Sequence, residues 1–152
     1  MTAYVETSER NRDLLRAFKR EEFPAMKGGT AELDQADARA AIGIALLHRH
    51  EVEDALEQFH HALRRSPDHG IALIGSAQAH LLIGNLTKTV DLTRQVLDRN
   101  PANIDALFLA AQASEALNHR EEAIELVEKA ITLQPENLQL QVALERLRQR
   151  IR

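Results

Sequence analysis

The sequence contains no cysteine. That excludes disulfides, thiolate nucleophiles and cysteine-based metal sites, although it fixes no compartment. A basic excess is missing too. The 152 residues carry a net charge of −4 and a pI of about 6.0, which argues against a dedicated nucleic-acid binder. The longest apolar run, Ala40 to Leu47, is far too short to cross a bilayer. The opening stretch MTAYVETSERNRDLL lacks the apolar core of a signal peptide. These absences lead us to expect a soluble, cytoplasmic chain with no membrane insertion. Glycine and proline are scarce, at six and four, which leaves little room for strand-and-turn structure. The abundant residues are Ala, Leu, Glu and Arg, which favour helix. The length suits one domain with a real core.

The few prolines are not scattered. Pro67, Pro101 and Pro135, in RSPDH, RNPAN and LQPEN, are evenly spaced: the step from the first to the second equals the step from the second to the third. Proline lacks an N–H and drives its predecessor out of the α region. Set at a fixed period in a helical chain, it ends one helix and turns the chain into the next. The three units are 36–69, 70–103 and 104–137, each long enough for two amphipathic helices. In the third, Ala123, Ile124, Val127, Ala130 and Ile131 recur at three- and four-residue steps, one face of a helix. Small residues such as Gly43, Ala62 and Ala130 allow neighbouring helices to approach closely.

Ile42, Gly43, Leu46, Ala55, Phe59, Ala62 and Pro67 in the first unit fall on signature positions of the tetratricopeptide repeat. So do Leu107, Ala110, Ala111, Ala123, Ala130 and Pro135 in the third. Over residues 36–137 the chain resembles that family. The resemblance implies an all-α fold, a right-handed superhelical stack of helix–turn–helix repeats. The middle unit departs from the pattern: His80 stands where an aromatic is common, and Thr89, Thr93 and Val96 replace Ala, an aromatic and Ala. Its packing is expected to be looser, with His80 a buried and satisfied histidine.

Two segments flank the repeats. Residues 138–152 predict a capping helix with the stripe Leu140, Ala143, Leu144, Leu147 and Ile151. Arg146, Arg148, Arg150 and Arg152 complement the negative end of its dipole. A dimerisation seam is the alternative use of that stripe. Residues 1–35 predict an additional N-terminal helix over 8–23, with Leu14, Leu15 and Phe18 on one side, and a linker broken by Pro24, Gly28 and Gly29. That helix suits docking or oligomerisation, so a homodimer through the N- or C-terminal helix stays open.

The family's geometry implies which residues line the concave face: positions two, five, nine and twelve of each unit. Here these are Asp37, Ala40, Ile44 and Leu47; then Ile71, Ile74, Gln78 and Leu81; then Asp105, Phe108, Gln112 and Glu115. The expected groove is mostly apolar with Asp37, Asp105 and Glu115 at its edge. GIALIGSAQAHLLIG (70–84) is apolar nearly all round, and such a helix is normally covered on all sides. Partner binding is therefore expected at Ala40, Ile44, Leu47, Ile71, Ile74, Gln78, Leu81, Asp105, Phe108 and Gln112. The partner would be a helical or extended protein segment, or the chain's own residues 10–23. Some domains of this family grip a chaperone's C-terminal carboxylate with Lys, Asn and Arg. The corresponding positions are Ala40, Ile44, Gly75, Asp105 and Leu109, none with a side-chain donor suited to a carboxylate, which argues against that role.

Seven histidines are many for this length. His48, His50, His60 and His61, with Glu57 one turn before His61, match no metal motif. There is no glycine-rich phosphate loop and no spacing that suggests a catalytic triad. No cofactor, metal or enzymatic activity is expected. The favoured reading is an interaction adaptor or scaffold. The alternatives are a chaperone resembling those of type III secretion, which hold hydrophobic translocators, and a metal-binding protein resting on the histidines alone.

Overall fold

The computed structural model describes residues 29–149, with side chains from 35. Among the described residues are seven α-helices and no strand. They are α1 (Gly29–His48), α2 (Val52–Arg65), α3 (Gly70–Leu82), α4 (Leu86–Arg99), α5 (Ile104–Ala116), α6 (Arg120–Leu133) and α7 (Leu138–Gln149). The helix expected within 8–23, Ile151, Arg150 and Arg152 lie outside the described residues. α1 begins at Gly29, inside the stretch expected to be linker.

The prolines act as punctuation. Ser66, Asn100 and Gln134, each just before a proline, leave the helical region at φ −134°, −133° and −134°. Each still donates its N–H to the helix behind it, at Ala62, Val96 and Ala130 O. Three residues on, His69, Asn103 and Asn137 donate back across the turn at 3.1, 3.1 and 3.2 Å. The same three residues then cap the next helix. His69 Nδ1 accepts from Ala72 N at 3.2 Å, Asn103 Oδ1 from Ala106 N at 2.9 Å and Asn137 Oδ1 from Leu140 N at 3.3 Å.

The turn inside each unit carries a second signal at the same period. His50, Gly84 and Asn118 adopt φ of 61°, 79° and 63°. The residue after each donates back to close the preceding helix: Glu51 to Leu46 O, Asn85 to His80 O and His119 to Ser114 O. The Asn85 of the NLT sequon also caps α4, accepting from Lys88 N at 3.3 Å. An added Cβ at Gly84 would meet nothing within 4 Å, so a substitution there tests backbone conformation alone. Gly84→Ala is expected to lower stability by about 1 kcal/mol in urea titration. An unchanged midpoint would show that the turn relaxes.

The core runs as a series of handovers. One apolar cluster joins α1, α2 and α3, the next joins α3, α4 and α5, and the last joins α5, α6 and α7. Phe59 is the largest fully buried side chain among the described residues. Its ring lies between Gly43 of α1 and Gly75 of α3; a Cβ on Gly43 would come within 2.5 Å of it, and one on Gly75 closer still. Small residues thus set the helix spacing, as expected for Gly43; Gly75 does the same from the other side.

The middle unit accounts for its threonines and corrects the expectation for His80. Thr89 and Thr93 are buried, and their hydroxyls are satisfied. Thr89 Oγ1 lies 3.1 Å from Asn85 O and 3.2 Å from Ala77 O, and Thr93 Oγ1 2.9 Å from Thr89 O and 3.0 Å from Val90 O. The polar substitutions are absorbed by backbone carbonyls. His80 is the reverse: its Nδ1 is buried without a hydrogen-bond partner among the described residues. Burial pushes this imidazole below its usual 6.5, and the Lys88 ammonium pushes the same way. Above that pH the ring is neutral in both folded and unfolded chains. As pH falls below it, the unfolded chain takes up the proton first, so stability declines. His80→Phe is expected to raise the urea midpoint more at about pH 5.5 than at about pH 7.5. Equal gains at both would overturn this account.

α7 spends its apolar stripe on the stack. Leu140, Ala143 and Leu147 are buried in the last cluster with Leu144 against it. Arg146 binds Glu115 of α5 at 2.6 Å, and Arg148 binds Glu128 of α6. The described stripe therefore serves as a cap. The opposite face carries Leu138 and Val142, both exposed.

Candidate functional site

The first helices of the units, α1, α3 and α5, pack side by side. Their shared free face forms a groove of about 760 Å³. α3 supplies Ile71, Ile74, Gln78 and Leu81, at steps of three, four and three residues, which keeps them on one helix face. α5 supplies Asp105, Phe108 and Gln112 at the same steps, and α1 supplies Ile44. Ile71 is 56% exposed, and Ile44, Ile74, Leu81 and Phe108 are half-buried. This is a contiguous aliphatic and aromatic floor with amides along it.

Eight of the ten residues expected to bind a partner are thus brought together. The other two, Ala40 and Leu47, are not in the groove. Ala40 is fully buried and Leu47 nearly so, both within the cluster that α1 shares with α2 and α3. In α1 these positions fall on the side that packs into that cluster and away from the groove. The groove also takes Gln139 from α7. Gln139 stands one period after Asp105 and two after Ile71, so continuing the repeat one more step would have found it.

Two of the three acidic rim residues are engaged by neighbouring side chains. Asp37 accepts from His69 Nε2 at 2.6 Å, and Glu115 holds Arg146. Only Asp105 among the three lines the groove. Among the described residues, no lysine or arginine does. Of the positions weighed against a carboxylate clamp, Ala40, Gly75 and Leu109 are buried, Gly75 beneath the Phe59 ring.

The histidine-rich face does not assemble a metal centre. Among the described residues, no three His, Asp or Glu side chains stand close enough to hold an ion. His61 Nδ1 abuts the Arg64 guanidinium, while its Nε2 lies 3.8 Å from Glu57. Burial first, then the positive charges of Arg39 and Arg64, hold His61 below its usual pKa. The same field opposes any added cation.

A family model described as anaphase-promoting complex, cyclosome, subunit 3 matches residues 48–130, more than half of the chain. No curated protein is similar enough in sequence to count as a relative. Among solved structures, the tetratricopeptide-repeat domain of Arabidopsis OM64 superposes with a TM-score of 0.74 at 19% identity, covering 78% of this chain and 98% of that one. The first such domain of Spaghetti (RPAP3), solved with the HSP90 peptide SRMEEVD, gives 0.74 at 17% identity over 78% and 94%. The Sgt2 domain from Aspergillus fumigatus gives 0.71 at 22% identity over 76% and 78%. At these identities the likeness is one of fold. With its regular alternation of helices and turns, the chain belongs to the anaphase-promoting complex, cyclosome, subunit 3 family, which is of the tetratricopeptide-repeat type.

Proposed function

We propose that this protein is a non-catalytic adaptor, acting in the cytoplasm, that holds a segment of another protein in the groove across α1, α3 and α5. The observation that carries this reading is the unbroken row Ile44, Ile71, Ile74, Leu81 and Phe108, left partly open to solvent on rigid helices. Scattered surface aliphatics mean little, but a contiguous patch in a concave site is the usual mark of a docking surface. Covering what remains exposed of each aliphatic side chain would contribute a part of the roughly 1.5–3 kcal/mol that full burial brings. A helix or extended strand presenting apolar side chains at regular steps fits such a row.

The reading is tested by capture from the native source. Partners retained by the wild-type chain are identified by mass spectrometry, then their affinity is measured for Ile74→Asp and Leu81→Asp. Each substitution is expected to weaken binding by at least about tenfold, because a carboxylate would be desolvated in an apolar contact. Wild-type affinity, with an unchanged helical spectrum and urea midpoint, would defeat the proposal. A secreted, membrane-inserting client among the captured proteins would favour the secretion-chaperone form of the same reading.

A further inference from the structure

We propose that the groove has a ligand within the same chain: residues 10–23, bound in cis and displaced by the partner when it arrives. This rests on the groove being the docking surface, and it adds the identity of one occupant. Three features carry it.

The first is chemical match. Residues 10–23 read RNRDLLRAFKREEF, with Leu14, Leu15 and Phe18 as the apolar group and five basic side chains against three acids, Asp13, Glu21 and Glu22. The groove offers Ile71, Ile74, Leu81 and Phe108 for the former, and among the described residues its only charged lining side chain is Asp105. The whole chain is at −4 although this stretch is basic, so the remainder is more acidic still and attracts it. An acidic segment would meet repulsion at the same place.

The second is reach. Ile44 lies fifteen residues into α1 from Gly29, about 22 Å at 1.5 Å per residue. Phe18 precedes Gly29 by eleven residues, enough chain to span up to about 36 Å when extended. The tether therefore covers the distance along α1 with length to spare. The third is concentration. A short tether presents its segment at an effective concentration in the millimolar range, so even a weak fit fills the groove ahead of a dilute competitor.

The chain has no native cysteine, which allows a clean cross-linking test. The full-length Phe18→Cys/Ile74→Cys protein is oxidised at low micromolar concentration beside a Phe18→Cys/Arg94→Cys control, Arg94 being exposed on α4. The proposal expects a monomeric disulfide that forms at least about tenfold faster in the groove pair than in the control. Equal rates would overturn it. A disulfide-linked dimer in place of the monomer would also overturn it, in favour of exchange between copies. A labelled synthetic peptide of residues 10–23 gives the second arm. It should bind the full-length Leu14→Asp/Phe18→Asp chain at least about tenfold more tightly than wild type, whose groove is already filled. Equal, measurable affinity for both would remove the cis occupant while leaving the groove a docking surface. No binding to either, with partner capture intact, would remove the segment as a ligand.

Discussion

Replacing Phe59 by alanine is expected to lower the unfolding free energy by about 3–5 kcal/mol, as for other fully buried aromatic residues. The ring is completely buried and joins three helices: its own α2, α1 at Gly43 and α3 at Gly75. Its loss leaves a void that cannot collapse without shifting α1 or α3, and both are held by other neighbours. For a domain stable by about 5–15 kcal/mol, that is a large fraction. Because the core is handed from one cluster to the next, the damage should be uneven. Amide exchange should accelerate throughout α1–α3 while α5–α7 keep most of their protection. A loss below about 1 kcal/mol in urea titration would mean that the ring is not the keystone described here.

The second large effect runs the other way, by adding a methyl group. Gly75→Ala should destabilise by about 1–3 kcal/mol through overpacking, even though alanine is favoured over glycine in a helix by about 1 kcal/mol. The new Cβ would overlap the Phe59 ring, and the ring cannot swing aside because Gly43 already touches its other side. The residues therefore act as a unit. Phe59→Leu should partly rescue Gly75→Ala, with a coupling energy above about 0.5 kcal/mol in the double-mutant cycle. A higher midpoint for Gly75→Ala alone would show that helix propensity wins and that the ring has room. The outcome also concerns the groove. Ile71 and Ile74 stand on the helix that Gly75 seats against α2, so raising α3 off Phe59 would move the groove wall. Partner affinity should fall in Gly75→Ala even where the chain remains folded.

Much of this architecture was legible before any coordinates. The proline spacing identified the three units, and the three-and-four steps identified helix faces. The face of α3 and α5 followed from one register, so Ile71, Ile74, Leu81, Asp105 and Phe108 stand together as that register required. Other features are legible at the same period. His50, Gly84 and Asn118 repeat at the period of the prolines, and two of the three are residue types that tolerate a left-handed turn. Gln139 lay one period beyond Asp105. Burial on α1 has a different origin. Ala40 and Leu47 occupy groove positions by register, but α1 turns them into the cluster it shares with α2 and α3, and register does not fix how a helix is rotated against its neighbours.

The sequence alone determined where the chain turns and which side of each helix is apolar. Both depend on local chemistry: a proline's missing N–H, a side chain's periodicity along one helix. Tertiary structure decided what those sides meet. It placed the Phe59 ring between two glycines from different repeat units, left His80 Nδ1 without a partner among the described residues, and spent the stripe of α7 on the stack. These are properties of pairs of surfaces distant in the chain, set by the angle and spacing at which helices pack, and no single stretch of residues contains them.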